Sequence, residues 1–277
     1  MNIKRHFYNG REYSLDMENK VIRLLPSFHD KLKNKELWGR FGFKKMGGSS
    51  IGDVLETDQF KSPFKAFARM SWIDMPILDK KYINAGIAIE PKVLDLIASQ
   101  PGVESVRGFD AKKYNYDYFA GKDDIIGGLP DGLAQPGNIV IEVKTAGAKK
   151  LDQWKRFGVP EGYLKQAQLY TYLMGFKTYA IVGTFLEEED YHLPSLYPIK
   201  KRRTKTWPFT INTKQVEDDI AFVKKWYTKH VELGVSPQFN EKRDADLIDY
   251  LLCKDEEEWR ILQEKWLAKG KINLETL

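Results

Sequence analysis

Residues 123–144 read DDIIGGLPDGLAQPGNIVIEVK, and no other stretch limits the fold as much. Over 138–144 apolar residues alternate, which predicts a strand with Ile139, Ile141 and Val143 on one face and Val140, Glu142 and Lys144 on the other. A carboxylate and an ammonium therefore share a face, roughly 7 Å apart along the backbone. Upstream, Pro130 cannot donate to a sheet ladder, and Gly127, Gly128 and Gly132 weaken a strand interior. Asp131 is thus expected where a strand bends or ends. Taken singly, Glu-x-Lys is common on solvated strand faces and Pro-Asp-Gly is an ordinary turn. Together, a turn carboxylate just ahead of a strand carboxylate and lysine could hold Mg²⁺, a hard cation that takes oxygen ligands and keeps several waters. Lys144 would then position a nucleophile or stabilise charge on a phosphoryl group.

A length of 277 residues suits one large domain or a core with a small appendage, and a hydrophobic content of 42% supplies that core. With 30% charged residues and a balance of +5, a mildly basic protein is expected, which suits an anionic partner. The single cysteine, Cys253, argues against disulfides and against a cysteine-ligated iron–sulfur cluster. It also points to a reducing compartment, so a cytoplasmic location is expected. The opening MNIKRHFYNGREYSLD lacks the apolar run of a signal peptide, and no stretch reaches membrane-spanning length.

Residues 1–37 mix charge and aromatics, with a short helix expected over 27–37 that places Phe28 and Leu32 on one face. In WGRFGFKKMGGSSIGDVL, from Trp38, two glycines precede two serines and an apolar helical pattern. Ser49 or Ser50 is a candidate N-cap, and the free amides of that turn could receive an anion. A plain cap is the simpler reading; Arg40, Lys44 and Lys45 tilt it toward phosphate. Helices are expected over 61–72, with Phe64, Phe67 and Ala68 inward, and over 85–99, with Val93, Leu94, Ile97 and Ala98 inward. Pro91 should start or bend the second, leaving Glu90 either as a partner of a helix dipole or as a third carboxylate for the cation.

After Val106 the polar, aromatic run FDAKKYNYDYFAGKDD predicts a hairpin, and beyond Lys144 the run TAGAKKLDQWKRFGVPEG predicts a loop. Lys149, Lys150, Lys155 and Arg156 surround Trp154 there, which suits a nucleic-acid groove or a solvated loop. A helix over 161–174 opens near Pro160 and closes at Gly175. On it Gln166 and Tyr170 share one face, and Gln168 and Tyr172 share another about 200° around, so one pair should face the sheet and cleft. A strand at 178–186 follows, then KKRRTK at 200–205. That run, centred on Lys201, Arg202 and Arg203, is a candidate phosphate-contacting arm or a solvated loop. Three further helices are expected, over 213–233, 245–253 and 256–269.

In this order the pieces resemble the PD-(D/E)XK nuclease superfamily, most of all its YqaJ-like viral recombinase branch, which includes phage lambda-type exonuclease. The resemblance rests on Trp38 followed by GGSSIG, on GIAIEP around Glu90, GGLPDG around Asp131, IEVK at Glu142 and Lys144, and YLKQAQLY after it. It spans 38–237, including the VELGVSP end of the closing helix. It implies an α/β (α+β) fold with a restriction-endonuclease-like core over 38–240, a mixed central sheet flanked by helices in αβββαβ order. Residues 1–37 would be an extension and 241–277 a helical appendage. It further implies Asp131 and Glu142 as metal-binding carboxylates, the Val143 carbonyl as another ligand, and Glu90 as the helix glutamate completing the acidic site. Lys144 would be the catalytic lysine, Gln166 would lie near the scissile phosphate, Tyr170 would complete a Gln-x-x-x-Tyr pattern, and Ser49 would belong to a 5′-phosphate pocket. One position departs: where the family carries an arginine, seven residues before that serine, stands Gly42, and Arg40, Lys44 and Lys45 are the candidates to replace it.

The activity so implied is a Mg²⁺-dependent 5′→3′ exonuclease on double-stranded DNA ends in phage-type recombination, with Mn²⁺ able to substitute. A single-strand annealing protein would be its partner and a homotrimeric ring its assembly. Two alternatives stand beside it. An endonuclease of restriction or repair type would not need DNA ends; a non-catalytic DNA-binding protein on a nuclease fold is opposed by the intact Asp131, Glu142 and Lys144 set.

Overall fold

The structure, a computed structural model, describes residues 3–276. The described chain opens with a hairpin, β1 (Tyr13–Asp16) and β2 (Val21–Leu24), then helices α1 (Pro26–Lys33), α2 (Gly48–Val54), α3 (Pro63–Met70) and α4 (Lys81–Ala98). Strands β3 (Ser105–Gly108), β4 (Gly132–Gln135) and β5 (Ile139–Gly147) follow, then helices α5 (Lys150–Phe157) and α6 (Glu161–Leu173). Strands β6 (Thr178–Leu186) and β7 (Arg203–Thr210) complete the sheet, and α7 (Thr213–Leu233), α8 (Ala245–Leu252) and α9 (Glu256–Ala268) close the chain. The central sheet runs in the order β3-β4-β5-β6-β7, antiparallel except for the β5–β6 pair. The αβββαβ core is therefore present, with α5 added before the second helix of that pattern.

Each face of the sheet has its own core. Ile141 and Val143 pack with Ala85, Ile89 and Val93 of α4, whereas Val140 joins the larger core that contains α2, α3 and α6. The alternation along β5 thus divides as its sequence predicts, with Glu142 and Lys144 on the face that looks toward α2 and α6. That face is closed by aromatic packing: Trp154 lies against Tyr163, Phe185 and Trp207.

The termini form one unit rather than an extension at one end and an appendage at the other. The Arg5 guanidinium donates to Tyr250 O (2.6 Å) and to the Tyr13 hydroxyl (2.7 Å), and it lies 3.8 Å from the Tyr250 ring centre. Trp259 Nε1 donates to Ile3 O at 2.7 Å. The chain after α7 runs beside β2, where Ser236 N–H reaches Ile22 O (2.9 Å) and Leu24 N–H reaches Gly234 O (2.8 Å). Buried side chains from Tyr8 to Ile272 belong to one continuous core, so the boundaries at 37 and 241 do not separate folding units.

Four local expectations are corrected. Helix α4 begins at Lys81 and runs through Pro91 without stopping. The carbonyl that loses its bond to Pro91 is that of Ile87, which is exposed, so water can replace the missing donor. Ala98, expected inward on that helix, is exposed. The run after Val106 holds turns between β3 and β4 rather than a hairpin of its own, and the segment after Lys144 is not a loop: β5 extends to Gly147 and α5 follows.

Candidate active site

Strand β4 starts at Gly132, which pairs with Ile141, so beyond that point β5 has no β4 neighbour. Asp131 fills the opening, its Oδ2 accepting the Val143 N–H at 2.7 Å. Because a strand residue projects its N–H and C=O to the same edge, the Val143 carbonyl faces the same gap. Glu142, 1% exposed, takes the Lys144 ammonium on Oε1 at 2.6 Å. Lys144 Nζ also lies 3.2 Å from Gln166 Oε1 and 4.8 Å from the centre of the Tyr163 ring. Tyr163, Gln166 and Tyr170 follow at helical intervals of three and four, so α6 presents all three to β5.

Helix α2 reaches α6 because Gly48 has no side chain. A Cβ there would stand 2.5 Å from both Gln166 Cγ and the Tyr170 hydroxyl oxygen. The Tyr170 hydroxyl accepts the Gly48 N–H at 3.2 Å, and the same ring leaves no room for a Cβ on Gly128, whose φ is +140°. The GGSS and GGLP turns are therefore both shaped around one tyrosine. Ser49, exposed at the start of α2, shares a cleft of about 920 Å³ with Lys144, Gln166, Tyr163, Lys61 and Lys150. At its mouth Phe60 and Phe157 are 70% and 76% exposed.

The charges in this pocket do not balance. Burial, then Glu142 and Glu90, push the Asp131 carboxyl well above the usual carboxylate range. Burial raises Glu142 in spite of Lys144, and burial followed by Glu142 raises Glu90. Burial alone would depress Lys144, but Glu142 and Asp131 outweigh it and hold the ammonium charged. Three carboxylates thus face one lysine. Glu142 Oε2 is buried with no hydrogen-bond partner, which is costly unless a positive group meets it. Asp131, Glu142 and the Val143 carbonyl offer the oxygen donors that suit a hard divalent cation. Among the described residues no group of three or more His, Cys, Asp or Glu side chains is gathered to hold a metal as it stands, and Glu90 is tied to the site through the charges of Glu142 and Lys144.

The other candidates divide. Gln166 faces the cleft, whereas Gln168 is buried on the opposite side with its Oε1 held by the Asn212 N–H (2.8 Å), and Tyr172 bonds Glu217. Gln168 and Tyr170, both buried, are therefore not surfaces for DNA. Ser50 is also turned inward: its Oγ accepts the Gly47 N–H at 3.0 Å, so Gly47 is the N-cap and neither serine is. Lys44 lies over Trp72 and pairs with Asp74 (3.4 Å), Lys45 pairs with Asp117 (2.9 Å), and Arg40 rests on Phe41, all outside the cleft. Trp154 is buried among aromatics with one edge on the cleft, while Lys155 and Arg156 are exposed on α5. Arg202 is locked to Asp190 (2.7 Å) and Glu189 (2.7 Å), so the KKRRTK run is not a free arm; Lys201 and Arg203 remain exposed beside it. Tyr163, Lys61 and the two exposed phenylalanines were missed from sequence. The three-residue spacing of Tyr163 from Gln166 was the available signal for the first; the others come from loops and helix ends that only folding brings together.

The chain thus has a five-stranded mixed α/β fold with an acidic gap beside β5. The same fold occurs in LHK-Exo, an alkaline exonuclease from Laribacter hongkongensis, whose crystal structure in complex with dAMP superimposes with a TM-score of 0.51 at 15% identity, covering 79% of this chain and 97% of that one. By sequence the chain is similar to two mycoplasma proteins. Uncharacterized protein MG373 of Mycoplasma genitalium is 27% identical over 83% of this chain and 94% of its own length. The MG373 homolog of Mycoplasma pneumoniae is 24% identical over 84% and 95%. No family model matches the chain. Among the described residues no helix is long and apolar enough to cross a membrane.

Proposed function

We propose that the protein is a metal-dependent deoxyribonuclease that hydrolyses phosphodiesters at double-stranded DNA ends. The observation that carries this reading is the buried Glu142 carboxylate, one oxygen bound by Lys144 and the other unpartnered, beside Asp131 in the gap that β4 leaves open. The likeness of fold to an exonuclease supports it.

Asp131, Glu142 and the Val143 carbonyl would hold Mg²⁺, with Mn²⁺ able to substitute, and Glu90 would add to the negative field that draws it. When bound, the cation supplies Lewis-acid stabilisation of the phosphoryl oxygens and lowers the pKa of water. Lys144 is placed to donate a hydrogen bond to the attacking water or to a phosphate oxygen, its charge secured by Glu142. Gln166, bonded to that ammonium, fixes its direction, and Tyr163 walls the same side. Ser49 stands where a terminal phosphate would reach across the cleft from Lys144.

The test is digestion of linear duplex DNA beside the same DNA as a covalently closed circle, with Mg²⁺ and with Lys144→Ala as control. Loss of the linear form alone is expected, slowed about 10²–10³-fold or more in the variant. Cleavage of the circle would move the activity to an endonuclease, and no cleavage with any divalent cation would reject the nuclease.

A further inference from the structure

A second cleft, of about 580 Å³, opens between α3 and the segments that precede and follow α8 and α9. Five cationic side chains line it, Lys65, Arg69, Lys242, Arg243 and Lys271, against three carboxylates, Asp53, Asp74 and Asp246. Each carboxylate already has a lysine: Asp53 has Lys61 (3.8 Å), Asp74 has Lys44 (3.4 Å) and Asp246 has Lys271. Two of those lysines stand outside the cleft, so Asp53 and Asp74 each have a cation from beyond its walls, while Asp246 takes Lys271. Arg243 pairs with Glu56 at 2.8 Å through Nη1, and its Nε lies 3.8 Å from the buried Asp244, whose other oxygen stands 4.0 Å from Lys65, so among the described residues the free cations of the cleft are Arg69 and Lys242. Lys65 braces the wall through Phe60 O (3.3 Å) and Arg243 O (3.4 Å). Arg69 and Lys242 are exposed, and among the described residues their side chains make no hydrogen bond or ion pair. Unpaired guanidinium and ammonium groups around a concave surface recognise oxyanions, and phosphate best of all.

The position of the cleft argues for one kind of oxyanion. Helix α2 turns Ser49 and Gly52 to the active cleft and Asp53 to this one. The connection from α2 to α3 does the same, since Lys61 lines the first cleft and Lys65, one turn into α3, lines the second. The two clefts are neighbours on either side of that connection. Lys65 and Arg69, four residues apart on α3, point the same way and extend the basic surface along the helix.

We propose that this cleft is a second phosphate-binding site, which grips the backbone of the DNA whose end lies in the active cleft. The proposal rests on the nuclease reading above. It gives residues 241–277 a part in holding substrate, because Lys242, Arg243 and Lys271 form the wall facing α3.

The experiment uses the full chain and the variant Arg69→Gln/Lys242→Gln, neither residue belonging to the site around Lys144. Duplex binding is measured with EDTA present, across a series of salt concentrations, beside Mg²⁺-dependent hydrolysis of thymidine 5′-p-nitrophenyl phosphate, which is too small to span both clefts. The variant is expected to bind duplex about tenfold more weakly at low salt, with a log–log salt slope shallower by about 1.8 for two lost contacts. Hydrolysis of the small ester is expected to stay at the wild-type rate, and Arg69→Lys/Lys242→Arg to restore the wild-type slope. If the wild type binds duplex and the variant matches it in affinity and slope, the proposal is overturned while the nuclease reading stands. A variant that keeps duplex binding but loses affinity for a poly-glutamate peptide would also overturn it, assigning the cleft to an acidic protein segment. A wild type that neither binds duplex nor hydrolyses the ester would remove the nuclease reading and this proposal with it.

Discussion

Glu142 and Lys144 stabilise one another where neither charge would be comfortable alone, and Asp131 adds a second, half-buried carboxylate that the lysine does not reach by hydrogen bond. The pair alone does not balance the site, so a bound cation should act on stability as well as on chemistry. Mg²⁺ at about 100 times its Kd is expected to stabilise the fold by about 2.7 kcal/mol, a rise in Tm of about 5 °C for a chain of this size. Asp131→Asn should remove most of that rise while melting at or above the wild-type temperature without metal, because it deletes a carboxylate that burial disfavours. Thermal melts of both proteins, with and without Mg²⁺, decide it; an equal rise in the two would take Asp131 out of the metal site.

Helix α2 and helix α6 meet at a contact that admits no side chain at Gly48. Gly48→Ala is expected to cost about 1–3 kcal/mol by overpacking and to lower cleavage by displacing Gln166, both readable from urea unfolding and from digestion of linear duplex. At the far end of α7, His230 is buried, its Nδ1 2.6 Å from Val235 O, and burial lowers its pKa from the ordinary 6.5. Its neutral form belongs to the fold. Above 6.5 the ring is neutral in both states and its contribution is complete; as pH falls from 6.5 through the lower folded value, the unfolded chain takes the proton first and stability declines. A drop in Tm between pH 7.5 and 5.5 is expected, and His230→Gln should make that drop smaller. An identical drop in the variant would assign it to other groups.

For the whole molecule, the first and last segments share a core. Removing 241–277 would strip Tyr13 of its partner Leu251 O and cut the Arg5 and Trp259 anchors. The truncated chain is therefore expected to aggregate or to melt far below the full protein, rather than to survive as a free nuclease core. Soluble yield and circular dichroism check this, and a well-folded truncation with full Tm would contradict it. The same docking places Lys242, Arg243 and Lys271 opposite α3, a juxtaposition no local pattern contains.

Much of the centre was legible in the sequence because its signals are local and periodic. The face of Glu142 and Lys144 follows from alternation along β5, the strand at 178–186 and the helix at 213–233 fall at their expected limits, and Asp131, expected where a strand bends or ends, lies just before the first residue of β4. What lay beyond reach depends on pairing between distant segments. Whether Gln166 or Gln168 faced the cleft was settled by where α2 and α7 dock on α6, and the fate of Arg202, Lys44 and Ser50 by the carboxylates and backbone groups that folding brought to them. Sequence by itself determined which side chains could do chemistry and on which face of each element they stand, because side-chain periodicity is a property of the backbone. The tertiary structure alone decided which of them are free to act, because charge pairing and burial depend on neighbours that lie far away along the chain.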